Sequence, residues 1–240
     1  MTETRTIAFV LYPGLTALDF VGPLQVISAL KEFGLGFEAV TVAAAREPLQ
    51  TDTSLSVTAS HTFEQVPAPY GLIVPGGGVP TFTALADEQL TDYVRQAARS
   101  AEVVASVCTG SLILGSAGLL EGREATTHWA AMPILRAFGA TPVSRRWVVD
   151  GRVLTAAGVA AGIDMALHLA GELVGEDAAR MIQATIEYDP QPPFGPIDWD
   201  RVDRGFMESW IRSAAEKGLA DHPELLARLA MADGAQSMSP

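Results

Sequence analysis

Cys108 is the only cysteine in the 240-residue chain, and it stands inside VVASVCTGSLILGSAG, residues 103–118. The β-branched run Val103, Val104, Val107 stops at Cys108, and a small-residue helical pattern runs from Thr109 to Ala117, with Gly118 where a helix C′ residue would sit. Strand, sharp turn and helix put the thiol on a nucleophile elbow, written S-V-C-T-G rather than G-x-S-x-G. Backbone N–H groups and the helix dipole at such a turn favour thiolate. The bland alternative is a small buried hydrophobe.

Four other features bear on chemistry. Asp19, in T-A-L-D-F-V-G-P, is expected in the loop between the first strand and a helix starting at Pro23. It serves there either as a cap or as a carboxyl close to the sulfur. A carboxyl beside a thiolate in a partly dry pocket has a raised pKa and can deliver a proton near neutrality, the two groups titrating as a pair. Gly76–Gly77–Gly78 follow a strand and read as an anion-stabilising nest, a plain turn or, least naturally, a phosphate-binding turn, because G-x-G-x-x-G is absent. Thr109 either holds water near Cys108 or caps a helix. His128, in T-T-H-W, is either a base for a Cys–His pair or a structural histidine beside Trp129; His61, His168 and His222 look like ordinary positions.

The elements that must position these groups alternate. Strands are expected at Thr6–Leu11, Phe37–Val42, Leu55–Ala59, Tyr70–Val74, Val103–Val107 and Ala125–Thr127, with helices at Pro23–Leu30, Asp87–Ser100 and Ala130–Phe138. Trp147–Val149 and Val153–Thr155 flank Asp150–Gly151, a hairpin turn signal, and Gly162–Val174 and Glu176–Ile186 are helical. Alternation with short connections implies an α/β fold with a mostly parallel sheet covered on both faces, its ligands at the carboxyl edge. Tyr188–Pro196 reads as an extended proline-rich arm, followed by helices at Trp199–Lys217 and Pro223–Met231. That arm is either an appendage packed on the core or a partner-binding segment of a dimer.

Composition narrows the class. Twenty-eight acidic against 16 basic residues give a net charge of −12, which argues against nucleic acid as a partner. One cysteine forms no internal disulfide, and no Cys/His cluster suggests zinc. The N-terminus carries no signal-peptide pattern and no apolar run approaches ~18 residues, so neither membrane insertion nor export is expected and the cytoplasm is the default.

The runs GLIVPGGG, ASVCTGSLILGSAGLLEGREATTHW and GVAAGIDMALHLAGEL resemble the ThiJ/PfpI superfamily of the class I glutamine amidotransferase-like fold, over roughly residues 5–190. LDFVGP and IEYDPQPPF are most similar to its isocyanide hydratase branch. The resemblance implies a flavodoxin-like three-layer sandwich over residues 1–190, with 191–240 a C-terminal arm and helices of the same unit. It implies a hydratase that converts an isocyanide and water to an N-substituted formamide with no metal or organic cofactor, and a homodimer. Cys108 matches the nucleophile, Asp19 the acidic partner and Thr109 the functionally important threonine after the cysteine. The family usually carries Glu at the Asp19 position, so Asp favours the hydratase; its proteases carry His where Thr109 stands, which argues against protease activity. Gly77, Gly78 and Thr109 would steady charge, and Phe20, Trp129 and Val159 would wall an apolar pocket. A non-catalytic redox-sensing or regulatory protein, and a glyoxalase or deglycase, are the alternatives. Similar motifs occur in the amidase-like half of AraC-type regulators, but the short acidic remainder of this chain disfavours DNA binding.

Overall fold

The computed structural model describes residues 4–234. In chain order the main elements are β1 (Arg5–Val10), α1 (Ala17–Glu32), β2 (Phe37–Ala43), β3 (Pro48–Gln50), β4 (Ser56–Thr58), β5 (His61–Thr62), β6 (Gly71–Val74), α2 (Val79–Leu85), α3 (Glu88–Ala97), β7 (Val103–Val107), α4 (Gly110–Ser116), β8 (Glu124–Ala125), a 3-10 segment (Trp129–Phe138), β9 (Thr141–Pro142), β10 (Trp147–Asp150), β11 (Val153–Ala156), α5 (Ala161–Val174), α6 (Glu176–Thr185), α7 (Arg204–Gly218) and α8 (Pro223–Gly234). Seven strands form the central sheet in the order β10-β11-β7-β6-β1-β2-β5, parallel except for β10. This is the α/β architecture expected from the alternating pattern.

Strand chemistry explains the layering. β6 and β7 read GLIV and VVASV and are buried almost throughout, as strands covered on both faces must be. α1 and α5 pack together on one side, where Val107 and Pro23 both crowd Gly162. α2 and α4 lie against each other, and α4 also packs on the 3-10 segment. The Asp150–Gly151 hairpin forms as expected, with Gly151 at φ 61°.

Several expectations are corrected. α1 begins at Ala17, not Pro23, so Asp19 lies in its first turn and Pro23 within the helix. Burial of Phe20, Val26, Ile27 and Leu30 outweighs the hydrogen bond that Pro23 cannot give to Asp19's carbonyl. Residues 55–59 contribute only Ser56–Thr58, in a separate ribbon with β3, and residues 125–127 only the end of β8. α2 forms where the sequence pattern predicts no helix. Trp199 belongs to a single 3-10 turn, and α7 starts after the Asp203 cap. Residues 188–196 carry no regular element; α7 packs on α2, and α8 on the 3-10 segment. No helix among the described residues is long and apolar enough to cross a membrane.

Candidate active site

Cys108 follows β7 directly, with φ 57°, a left-handed conformation that a non-glycine residue adopts only under constraint. The constraint is visible. Its N–H donates to the carbonyls of Ala156 and Ala157, both at 3.1 Å, and its own carbonyl accepts from Thr127 Oγ1 at 3.0 Å and Ser111 Oγ at 3.3 Å. Gly110 makes the turn possible: a Cβ there would lie 2.2 Å from the Val74 carbonyl oxygen. The elbow thus follows from a β-branched strand, a glycine two residues past the cysteine, and hydroxyls that satisfy the exposed carbonyl.

Asp19 reaches this elbow from α1. It is fully buried, and its Oδ2 accepts the Gly76 N–H at 3.0 Å. Asp19 does not cap α1; Asp52 Oδ1 takes the Ala17 N–H at 2.9 Å instead. Burial, and less strongly the charge of Asp52, raise the Asp19 pKa to about 7, against the opposing pull of the Gly76 N–H and the Cys108 thiol. Its Oδ1 makes no full hydrogen bond, leaving that oxygen free within the buried site. A carboxyl with one free oxygen and a proton held to neutrality is equipped as an acid–base group.

The thiol departs from expectation. Burial and the Asp19 charge push its pKa well up, although the backbone N–H groups of Val159 and Thr109 pull down. Two acids in one dry site do not ionise together, so the pair retains a proton across neutral pH. Val159 also sits at φ 30°, a second strained residue beside the sulfur.

The glycine loop is organised differently from a free nest. Gly77 N–H, expected to face an anion, donates to Thr109 Oγ1 at 3.0 Å. Thr109 Oγ1 also contacts the Gly77 carbonyl at 2.8 Å and Thr81 Oγ1 at 2.9 Å. Its hydroxyl is thus engaged by Gly77 and Thr81 and makes no capping hydrogen bond to α4, so of the two expected roles the cap is not the one seen. Gly76 explains why glycine is needed here: a Cβ would fall 2.6 Å from both Thr109 N and Oγ1 and 2.9 Å from Asp19 Oδ2. Gly78 precedes α2 at its N-cap position and lies against the Trp210 ring of α7.

Phe20, expected as a pocket wall, is a core residue edge-on to Phe9 at 6.1 Å. Trp129 is half-buried between His128 and Trp199, the latter ring at 5.7 Å. His128 Nδ1 accepts the Ala130 N–H at 3.4 Å, and burial lowers its pKa; it is a neutral cap of the 3-10 segment. Among the described residues, no cluster of three or more His, Cys, Asp or Glu is placed to hold a metal ion. The residues that sequence reasoning missed are Thr81 and Tyr12, both buried; the VPTF run after the glycines was the only available signal for Thr81.

Comparisons with known proteins give the same neighbourhood. A sequence model described as the DJ-1/PfpI family matches residues 5–172. An isonitrile hydratase from Pseudomonas putida is 44% identical over 210 residues, covering 87% of this chain and 90% of that protein. The crystal structure of a ThiJ/PfpI family protein from Pseudomonas syringae superposes with a TM-score of 0.82 at 34% identity, covering 91% of this chain and 90% of that one. An HTH-type transcriptional regulator from Rhizobium meliloti, GlxA, is 28% identical over 80% of this chain, which spans only 56% of the regulator.

Proposed function

The chain belongs to the DJ-1/PfpI family, and from that premise we propose that it is an isocyanide hydratase, converting R–N≡C and water to R–NH–CHO. The observation that carries the reading is the buried Asp19 carboxyl, tied to the Gly76 N–H beside the Cys108 elbow and retaining its proton to about pH 7. The 44% identity to an isonitrile hydratase over most of both chains supports the substrate class.

The terminal carbon of an isocyanide accepts a soft nucleophile and then needs a proton. In the singly protonated pair, the form with the proton on Asp19 carries the charge on sulfur. Cys108 attacks the carbon, forming the S–C bond, and Asp19 gives its proton to the same carbon. The product is a thioimidate, R–N=CH–S–Cys108. Asp19, now a carboxylate, takes a proton from water as the oxygen adds to the imidate carbon. Asp19 returns that proton to the nitrogen, giving R–NH–CH(OH)–S–Cys108, and then takes the hydroxyl proton as the C–S bond breaks; R–NH–CHO leaves, with the thiolate and protonated Asp19 restored. The Val159 and Thr109 N–H groups face the sulfur and offset its charge during attack and departure. Gly76 and Gly77 serve indirectly, because both N–H groups are committed to Asp19 and Thr109.

A sulfur-oxidation sensor is less well supported. Oxidation favours exposed, low-pKa thiols, whereas Cys108 is 6% exposed with its pKa pushed up. The proposed unit spans residues 1–240, with 191–240 part of it, and acts as a homodimer. Exposed Leu18 and Val21 on α1, and Phe194 and Ile197 in the arm, support self-association. Light scattering should then return twice the 25.3 kDa chain mass.

A substrate panel tests the activity. p-Nitrophenyl isocyanide should yield its formamide, while methylglyoxal should be left nearly untouched. Methylglyoxal consumption without isocyanide turnover would replace the hydratase with a glyoxalase or deglycase.

A further inference from the structure

Behind Thr109 lies a buried line of hydroxyls that the hydration scheme does not use. Tyr12, just past β1, is 4% exposed; Thr81, in α2, is fully buried; Thr109, at the elbow, is 3% exposed. Tyr12 OH lies 3.0 Å from the Pro75 carbonyl, to which it can donate, and 3.2 Å from Thr81 Oγ1. Thr81 Oγ1 is 2.9 Å from Thr109 Oγ1 and 2.8 Å from the Gly77 carbonyl oxygen, which also lies 2.8 Å from Thr109 Oγ1.

Each hydroxyl has one proton and two lone pairs. When Tyr12 donates to Thr81, Thr81 to Thr109, and Thr109 to the Gly77 carbonyl, every proton has an acceptor. Thr109 then also accepts the Gly77 N–H at 3.0 Å, and its capacity is filled. The loop is held from the other side as well: the Gly76 carbonyl accepts the Thr16 N–H at 2.8 Å, and the Gly76 N–H goes to Asp19. Both polar groups of Gly76 and both of Gly77 are therefore fixed, the Gly77 pair by Thr109, whose hydroxyl Thr81 orients.

We propose that Thr81, backed by Tyr12, is a positioning residue for the acid–base pair: through Thr109 it locks the Gly76–Gly77 peptides and so aims the Gly76 N–H at Asp19. The proposal rests on the hydratase reading only for what the pair does, not for how it is held. Thr81 touches neither reacting group and acts through the loop. Loosening the loop weakens the donor to Oδ2, which destabilises charged Asp19 and returns the proton to it. The groups that bear on Asp19 are Cys108 from the elbow, Tyr12 from the end of β1, and Asp52 from the β3–β4 connection. None of these changes charge when Thr81 is replaced by Val.

Because Cys108 is the sole cysteine, its alkylation by iodoacetamide across pH reads the pair without any isocyanide. Thr81→Val should move the neutral limb of that profile upward by about half a pH unit or more, since a donor to a charged group is weakened. Thr81→Ser, which keeps the hydroxyl, should restore the wild-type profile, and Tyr12→Phe should shift it in the same direction by less. A folded Thr81→Val protein with an unshifted profile overturns the proposal, as does a Thr81→Ser protein shifted as far as Thr81→Val. If Thr81→Val does not fold, an unshifted Tyr12→Phe profile overturns it. Failure of the hydratase reading would show separately, as absent formamide with these shifts intact.

Discussion

The backbone N–H of Gly76 donates to Asp19 Oδ2 at 3.0 Å, joining the glycine loop after β6 to the first turn of α1 across 57 positions of chain. This bond and the Cys108 thiol both act on the carboxyl, while Oδ1 itself takes no hydrogen bond. The Gly76 bond also leaves no room for a side chain at position 76.

Gly76→Ala should therefore strike both Thr109 and Asp19. Its Cβ would need to displace Thr109 N and Oγ1 at 2.6 Å and Asp19 Oδ2 at 2.9 Å. Misplacing the proton donor by even ~1 Å is expected to cost about 100-fold in kcat. Steady-state kinetics on the folded variant check this, and near-wild-type turnover would mean the loop does not aim the acid.

Asp19 should make stability depend on pH in a definite direction. Burial raises its pKa from 3.8 to about 7 on folding. The folded state holds this proton between those values while the unfolded state has lost it, so the contribution is full below pH ~4 and declines as pH rises to ~7. Asp19→Asn removes the dependence. Relative to wild type, the variant should gain up to ~4 kcal/mol between pH 4 and 7 and no more above, measured by denaturant unfolding at each pH.

Thr109 should tolerate Ser and not Val. Serine keeps an oxygen for the Gly77 N–H, whereas valine leaves that buried donor unpaired, at about 1–3 kcal/mol. Thermal unfolding and kcat should both fall for Thr109→Val and stay close to wild type for Thr109→Ser.

His128 should prove dispensable for chemistry. It is a neutral cap whose Nδ1 accepts the Ala130 N–H. His128→Asn, which keeps a capping oxygen, should retain kcat within about threefold, and His128→Ala should lose about 1 kcal/mol of stability. A fall of several hundredfold in kcat for His128→Asn would instead identify a Cys–His pair.

The Cys108 elbow is legible in the sequence because local signals agree there: a β-branched run, the thiol, then small residues that suit a sharp turn into a helix. The start of α1 is misread because Pro23 looks like a first-turn residue, while its tolerance inside the helix comes from the burial of Phe20, Val26 and Ile27. α2 is hidden because VPTFTAL is only seven residues, follows three glycines and has Pro80 near its start. The occupation of Gly77 by Thr109 joins positions 32 residues apart and leaves no local trace. The sulfur's raised pKa is equally illegible: turn geometry predicts N–H groups beside it, and they are there, but burial and Asp19 outweigh them.

Whether Cys108 and Asp19 together hydrate an isocyanide is decided by formamide formation from p-nitrophenyl isocyanide by wild type and Cys108→Ala at equal folded concentration. Wild type should show sustained multiple turnovers and Cys108→Ala only the uncatalysed rate. Equal rates for the two proteins would contradict that joint chemistry.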